Sequence, residues 1–360
     1  MNLCENNLGA IAGLATANPD LYVSQEEAYT YLKSRFELDP EEEALYRRLM
    51  LEGPIDGRYF GSADYADICS SDPDALNARF AEFAVPTAGR AMEKALAAAG
   101  IGPNDVSGLV VNTCTGYLCP GLTSYLTEAL SLPDSITVMD LMGMGCGGAI
   151  PNLQCAAALQ AGRRDSAVVS VAVEMCSATF FRGSDPGLIV SNSIFGDGAS
   201  AVVLGDSNCN GRRGPLLYIR DFETCIETRY REHLRYRTET GRLRNVLRKE
   251  VPVIGAKVIG KVMERLLGRN RLTINDIHWW AVHPGGTAVL DRVENRLGLS
   301  PGALDFSRHL FRERGNMSSP SVMFVLEHLL QTVRPASGQW IAALAFGAGF
   351  TGFGVLLRTP

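Results

Sequence analysis

The sequence has little of what marks a membrane protein, a nucleic-acid-binding protein or an exported protein. Nowhere in its 360 residues do about 18 apolar residues run together, so no membrane span is predicted. The formal net charge of -5 excludes a broad basic field for nucleic acid or an anionic membrane surface. The first residues have no basic start and no convincing export signal. These absences predict a soluble, cytoplasmic protein.

Zinc-ligand and disulfide patterns are also missing, although cysteine itself is not rare. The nine cysteines are odd in number, and no CxxC pair or Cys/His cluster has zinc spacing. Reduced thiols are therefore predicted, and no metal site. An apolar content of 46% over this length is enough to bury an enzyme-sized core.

Hydrophobic periodicity predicts an α/β protein in which helices and strands alternate. Helices are predicted at 74–100, 147–163, 253–268 and 287–297 and after Pro320. Val- and Ile-rich runs predict buried strands at 108–113, 136–142, 167–173 and 199–204, and further strands at 278–284, 340–345 and 352–358. An Arg-rich stretch at 206–250 interrupts this order and is predicted to be a junction and a surface segment. Two fused α/β halves are expected, 1–207 and 208–360.

Cys146 is the first candidate for chemistry. In DLMGMGCGGAIPNLQCAAALQAG an apolar strand runs through a glycine-rich turn into an Ala-rich helix, with Cys146 in the turn. Glycine permits a tight backbone, and a helix N-terminus lowers the pKa of a nearby thiol. The pattern favours a thiolate nucleophile, although buried free cysteines and glycine-rich turns are both common. Cys155 and Cys176 lack such surroundings and are predicted to pack in the core.

His283 and Asn316 are the candidate partners of that thiol. His283 ends a hydrophobic strand in AVHPGG, and strand ends favour catalytic groups. Asn316, in RGNMSSPSV, offers an amide N–H that suits an oxyanion and does not ionise. Alone, each has an ordinary explanation: a structural histidine, an Asn-Gly turn, or a helix N-cap at Ser318 or Ser319.

Cys, His and Asn together occur in two kinds of enzyme, papain-like proteases and thiolase-fold condensing enzymes. The protease reading lacks a CGSCW-like signature around Cys146. A catalytically silent scaffold of the thiolase fold is a third possibility, against which the intact trio argues.

Further motifs along the chain point to one enzyme family. They are LATANP (14–19), IDGRY (55–59), MGCGGA around Cys146, FRGSD (181–185), IFGDGASAVVLG (194–205), KEVP (249–252), VHPGGTAVLD (282–291), RGNMSSPSV (314–322) and FGAG (346–349). Over nearly its whole length the chain resembles the type III polyketide synthases, the chalcone and stilbene synthase family. VHPGG with GNMSS separates it from ketoacyl-carrier-protein synthase III, which remains the alternative.

The resemblance implies a thiolase fold of two pseudo-repeated halves in αβαβα layers, and a homodimer without cofactor or metal. Its substrates would be coenzyme A thioesters. Cys146 would carry the starter acyl group from an acyl-CoA. His283 and Asn316 would stabilise the enolate formed when malonyl-CoA loses CO2. Repeated condensation would give a pyrone, a resorcinol or a similar aromatic product.

The resemblance also assigns residues to the substrate pocket and to coenzyme A. Phe195 would be a gatekeeper, with Asp197 and Gly198 serving an adjacent turn, and Asn245 stands where the family has a second gatekeeper Phe. Cys114 and Thr115 would line the cavity, Cys119 would reach the partner's cavity, and Phe346 and Gly347 would form the pocket floor. Coenzyme A would be bound by Arg48, Gly285, Gly286 and Ala288. Leu45 and Glu52 replace two expected cations, which Arg58, Arg248 or Lys249 would then have to supply.

Overall fold

Most of the strands in the structure belong to one large sheet. The computed structural model describes residues 7–68, 72–162, 166–205 and 215–360. The strands in these ranges are β1 (Gly9–Ala17), β2 (Leu21–Ser24), β3 (Gly57–Phe60), β4 (Val106–Thr113), β5 (Thr137–Met142), β6 (Ala167–Glu174), β7 (Gly198–Leu204), β8 (Leu217–Ile226), β9 (Leu234–Glu239), β10 (Arg242–Leu247), β11 (Ile277–Val282), β12 (Trp340–Gly347) and β13 (Thr351–Arg358).

The helices alternate with these strands along the chain. They are α1 (Gln25–Arg35), α2 (Pro40–Met50), α3 (Pro73–Ala99), α4 (Leu122–Ala129), α5 (Ala149–Ala161), α6 (Pro186–Ile194), α7 (Val251–Asn270), α8 (Thr287–Leu297), α9 (Asp305–Arg314) and α10 (Ser321–Val333). Within the described ranges, none of them is both long enough and apolar enough to cross a bilayer.

The large sheet repeats one topology. Its order is β11-β12-β13-β8-β1-β7-β6-β4-β5. In the first half, β4 and β6 are parallel, whereas β6–β7 and β7–β1 are antiparallel. In the second half, β11 and β12 are parallel, whereas β12–β13 and β13–β8 are antiparallel. The two halves join at the centre of the sheet, where their first strands, β1 and β8, pair antiparallel.

Helices cover both faces of each half and complete the layers. Helix α3 packs on the outer face of the first half, and α7 packs on the outer face of the second. Helices α5 and α10 share one core between the two halves. The order of layers is therefore αβαβα. Because both of its faces are covered, a strand such as β6 is apolar and buried along its whole length, as expected for strands between two helical layers.

The predicted helices and strands are confirmed, with ends that differ by a few residues. Helix α3, for example, begins at Pro73 behind an Asp72 N-cap and ends at Gly100, whose φ of 68° suits glycine. The predicted boundary between 207 and 208 lies outside the described residues, as do Cys4, Cys69 and Cys209.

Two sequence predictions are wrong. Strand β5 was expected to be buried, but it lies at the edge of the sheet and leaves Val138, Met139 and Met142 at least 40% exposed. The stretch 206–250 was expected to be a surface junction, but it contributes β8 to the centre of the sheet. The buried residues of β8 are unevenly spaced, at 217, 219, 222 and 225, with charged residues between them, so the sequence shows no strand period there.

Candidate active site

The cysteine singled out by the sequence sits where α5 begins. Cys146 is in a short 3-10 helix between β5 and α5, and it is buried. The turn after β12 packs directly against it: a Cβ on Gly347 would lie 2.1 Å from the Met144 carbonyl oxygen and 3.2 Å from the Cys146 nitrogen. Only glycine fits this close approach. Gly347 thus fixes the nucleophile turn against the second half of the fold.

Asn316 lies in the equivalent turn before the other central helix, α10. Its backbone nitrogen donates to the Ile194 carbonyl over 2.8 Å, and its backbone pairs with that of Phe195. The amide oxygen of Asn316 accepts from the Ser318 nitrogen at 2.8 Å, which leaves the amide nitrogen as the donor for a ligand. Ser318 has a left-handed φ of 57°, a conformation found at functional turns.

His283 follows β11 at the same end of the sheet. Its backbone nitrogen donates to the Leu344 carbonyl of β12 over 2.8 Å, three residues before the Gly347 turn that holds Cys146. Its ring stands edge-on to Phe346, with 6.5 Å between centroids. The side chain is buried, and Nδ1 has no hydrogen-bond partner in the described part of the chain. The imidazole is therefore held by packing.

Burial keeps both reactive groups uncharged. Burial raises the pKa of the Cys146 thiol to about 12, although a hydrogen bond with Ser318 opposes this rise. Burial lowers the pKa of His283 to about 3. The predicted lowering of the thiol pKa by the helix N-terminus is wrong, because desolvation of a buried sulfur outweighs it. A neutral imidazole is free to accept a proton.

Cys146 opens onto a first cavity of about 540 Å³, here called the inner cavity. Among its lining residues are Cys114, Phe195 and Asn245, all three predicted from the resemblance. Tyr236, which the sequence did not single out, lines it as well. Burial raises the pKa of Tyr236 well above its usual value, so its phenol stays protonated and offers a hydrogen-bond donor.

A second cavity of about 500 Å³, the outer cavity, lies on the other side of a thin wall. Four residues expected to bind coenzyme A line it: Arg48, Gly285, Gly286 and Ala288. A Cβ on Gly285 would lie 3.6 Å from Nε2 of His283, so the histidine borders this cavity.

The wall between the cavities consists of adjacent residues on two segments. At the end of α6, Ile194 faces the outer cavity and Phe195 the inner one. On β10, Asn245 faces the inner cavity and Leu247 the outer one. These four side chains thus belong to the boundary between the two cavities.

Glu174, at the end of β6, is the main site residue that the sequence analysis missed. It is fully buried, and burial raises its pKa. It accepts hydrogen bonds from five side chains and one backbone nitrogen, those of Thr113, Cys114, Thr115, Ser318 and Ser319. The signal in the sequence was a single acid at the end of an otherwise apolar run, AVVSVAVE.

Several predicted roles do not fit the structure. Thr115 does not line the inner cavity, because its hydroxyl donates to Glu174 and accepts from the Met175 nitrogen. Ser318 and Ser319 are not N-caps of α10; Pro320 has that position. Arg58 is fully buried and donates to the carbonyls of Asn192 and Phe195 and to Gln25, so it cannot reach a ligand in solution.

The pocket floor and the gatekeeper turn also differ from expectation. Phe346 stacks on Phe350 and lies beneath His283, whereas Ala348 and Gly349 line the inner cavity. Asp197 does not serve an exposed turn: it is buried and accepts from the backbone of Gly61 and from Ser177. Cys119 is exposed and lines neither cavity of its own chain.

Two family models match the chain. Residues 17–272 match the FAE1/type III polyketide synthase-like family, and residues 229–360 match the C-terminal domain of chalcone and stilbene synthases. Both families are condensing-enzyme families of the predicted kind. The alternative of a ketoacyl synthase III is not favoured.

Two relatives are similar in sequence to this protein over almost its whole length. The 1,3,6,8-tetrahydroxynaphthalene synthase of Streptomyces peucetius subsp. caesius is 32% identical over 97% of this chain and 93% of its own length. The alpha-pyrone synthesis polyketide synthase-like Pks18 of Mycobacterium tuberculosis is 28% identical, covering 97% and 91%.

A solved structure gives the same result for the fold. The chain superposes on PKS-I from the brown alga Ectocarpus siliculosus with a TM-score of 0.87, at 28% identity, with 98% of each chain covered. The layered thiolase fold and the resemblance drawn from the motifs are both confirmed. The chain is a condensing acyltransferase that belongs to the type III polyketide synthase family, the family of chalcone and stilbene synthases.

Proposed function

We propose that this synthase transfers an acyl group from an acyl-CoA to Cys146 and extends it by repeated condensation with malonyl-CoA. The extended chain then cyclises in the inner cavity. The observation that carries this proposal is the position of the buried Cys146 at the inner cavity, next to a second cavity with basic residues in its lining. No cofactor or metal takes part, and coenzyme A thioesters are the substrates.

Loading begins with a proton transfer. Cys146 starts as a thiol and His283 as a neutral imidazole, so the thiol proton passes to the imidazole as the sulfur attacks the thioester carbonyl. The bond between that carbonyl and the coenzyme A sulfur breaks, and the proton leaves with coenzyme A. Cys146 is then an acyl thioester and His283 is neutral again.

Extension requires an enolate. When malonyl-CoA loses CO2, the electron pair of the broken carbon–carbon bond moves onto the thioester oxygen. For this step the neutral His283 exchanges its proton with solvent to become the tautomer protonated on Nε2. That N–H and the amide nitrogen of Asn316 donate hydrogen bonds to the thioester oxygen. The enolate carbon attacks the acyl carbonyl on Cys146, the carbon–sulfur bond breaks, and the thiolate is released. Preorganised neutral donors of this kind contribute about 3 kcal/mol each to transition-state stabilisation.

The inner cavity limits the product. Its volume of about 540 Å³ suits a short poly-β-keto chain folded for ring closure. A relative is named for a naphthalene and another for α-pyrones, and a small aromatic ring or a pyrone is the product class we propose here. The phenol of Tyr236 and the amide of Asn245 are uncharged polar groups among the lining residues, and they would orient the keto groups.

We also propose a homodimer with β5 at its centre. Within the described residues β5 pairs only with β4, so its outer edge is open. Val138, Met139 and Met142 on this strand, and Tyr117 and Tyr125 beside it, are exposed apolar or aromatic residues. An open apolar edge is expected to be covered, and a second copy presents the same edge. Cys119 would then approach the partner.

The test uses malonyl-CoA labelled in its carboxyl group, with a panel of acyl-CoA starters. The wild type is expected to release labelled CO2 and to form a cyclic product that mass spectrometry detects. Cys146→Ala should form no condensed product. His283→Ala and Asn316→Ala should each lower CO2 release by about 100-fold to 1,000-fold.

The matched control is His309→Ala, because His309 is partly exposed on α9 and lines neither cavity. It should retain wild-type activity. Full product formation by Cys146→Ala would refute the proposed function.

A further inference from the structure

The inner cavity reaches the protein surface near the start of β9. Its lining there includes Arg231, Glu232 and Arg235, whose side chains are 71%, 53% and 41% exposed. Among the described residues that line this cavity, these three are the charged ones, and they are here called the mouth cluster. Two cations and one anion give the mouth cluster a net charge of +1.

The mouth cluster is held together by its backbone and by two ion pairs. The Arg231 nitrogen donates to the Thr228 carbonyl over 3.1 Å. Each carboxylate oxygen of Glu232 accepts from one arginine, from Nε of Arg231 over 3.3 Å and from Nη1 of Arg235 over 2.7 Å. A guanidinium has five N–H groups, so both arginines have donors left for a second anion.

The mouth cluster and Cys146 lie at different parts of the same cavity, since Cys146 is buried and the cluster is exposed. Arg235 precedes Tyr236, and Tyr236 pairs across the hairpin with Asn245; all three line the cavity. Each round of condensation adds its unit at the thioester end of the chain. The far end of the starter therefore moves away from Cys146 with every round and can approach the mouth cluster.

The charge of the mouth cluster selects the kind of group that it binds. A pair between a guanidinium and a carboxylate is a charge-assisted hydrogen bond and is stronger than a neutral one. An uncharged alkyl end offers no partner to these N–H groups. A carboxylate at the far end of the starter is thus the ligand that suits the cluster.

We propose that the mouth cluster binds a carboxylate at the far end of the starter, so that this synthase prefers dicarboxylic acyl-CoA starters such as glutaryl-CoA. This inference rests on the proposed function, because it concerns the acyl group that Cys146 carries. No bond forms or breaks at the cluster. Arg231 and Arg235 determine specificity, and Glu232 competes with the starter for their N–H groups.

The test compares two starters that have the same number of carbon atoms and differ in charge, glutaryl-CoA and pentanoyl-CoA. Mass spectrometry measures the condensed products at saturating malonyl-CoA. The wild type should have a kcat/KM about tenfold higher for glutaryl-CoA, as expected for charge-assisted hydrogen bonds. Arg235→Gln should reduce the ratio of the two kcat/KM values to about one. Glu232→Gln should raise the ratio about threefold, because it removes the competing anion.

Arg237→Gln is the matched control. It removes a cation from the same strand, but Arg237 pairs with Glu239 over 3.1 Å and lines neither cavity. This variant should keep the wild-type ratio.

A wild-type ratio of one or less, or an unchanged ratio in Arg235→Gln, would overturn the proposal. Extension of pentanoyl-CoA alone by the wild type would refute this inference and leave the proposed function standing. If the wild type extended no acyl-CoA with malonyl-CoA, both would fail.

Discussion

Glu174 is a fully buried carboxyl whose hydrogen-bond donors in the described part of the chain are all neutral. Its oxygens hold the end of β4 and the turn before α10 together through hydroxyls, a thiol and a backbone amide. The same turn carries Ser318, whose hydroxyl hydrogen-bonds to Cys146. A negative charge on Glu174 raises the pKa of that thiol, whereas the hydroxyl lowers it. Glu174 and Ser318 thus shift the pKa of Cys146 in opposite directions.

Opposite effects on thiol reactivity are therefore expected from two substitutions. Ser318→Ala should raise the pKa of Cys146 and slow its alkylation by iodoacetamide about fivefold at a given pH, the equivalent of one hydrogen bond of about 1 kcal/mol. Glu174→Gln should lower the pKa and speed alkylation in alkaline buffer. Mass spectrometry of the Cys146 peptide across a pH series measures both rates. Shifts in the same direction would indicate general damage to the site and contradict this account.

Asp197 is another fully buried carboxyl, and its role is structural. It ties β3 to the segment before α6 through the Gly61 nitrogen and the nitrogen and hydroxyl of Ser177. Burial raises its pKa to about 6, so it is mainly ionised at neutral pH and accepts all three bonds.

Asp197→Asn should lower the free energy of unfolding by about 1–3 kcal/mol at pH 7, because the new amide N–H₂ faces donors. Urea unfolding monitored by circular dichroism measures this loss. Asp20→Asn is the control: Asp20 is 91% exposed in its pair with Arg90, and exposed pairs contribute little to stability. Equal stability of the Asp197 variant and the wild type would show that the buried carboxyl has no such role.

Among the elements, the hairpin of β9 and β10 borders both cavities. On β10, Asn245 lines the inner cavity and Leu247 lines the outer one. These residues are two positions apart, so they project from the same face of the strand and the two cavities follow one another along it.

Asn245→Phe should shorten the product. The larger ring would enter the inner cavity, and we expect a shift toward products with fewer malonyl units while decarboxylation continues. Liquid chromatography with mass spectrometry measures the product distribution. Val246→Phe, on the other face of β10, lines neither cavity and should leave the distribution unchanged. Longer products from the Asn245 variant would contradict this use of the cavity.

The strands of the large sheet differ in how clearly the sequence predicts them. Strands that are mostly apolar and buried, such as β4 and β6, were predicted within two residues, because burial on both faces leaves a clear pattern. Strand β8 was missed because Arg220, Asp221 and Glu223 stand between its buried residues. The placement of Cys146, His283 and Asn316 at one end of the fold was expected from their motifs. The buried Glu174 was not expected, since its partners come from two segments that are distant in sequence.

At the scale of the whole molecule, the repeat explains why the site has contributions from both halves. Helices α5 and α10 occupy the shared central layer, and the turns that precede them carry Cys146 and Asn316. The second half adds His283 from the end of β11. The site therefore exists only when the two halves are packed together.

The open edge of β5 leads to a prediction about assembly. The wild type should be a dimer by size-exclusion chromatography with light scattering, and Val138→Asp should be monomeric, because a charge on the edge strand opposes pairing. Ile226→Asp is the control, since Ile226 is 62% exposed at the end of β8 and away from that edge. A dimeric Val138→Asp variant would place the interface elsewhere.

The thin wall between the cavities has a consequence for how such a synthase changes over time. Because residues of the same two segments line both cavities, a change in either segment acts on both cavities. Variants of this chain that make longer products through such changes would bind their thioester donor more weakly, unless compensating substitutions arise at the rim of the outer cavity. Product length and affinity for the thioester donor are thus expected to evolve together, and an engineered variant must be selected for both properties.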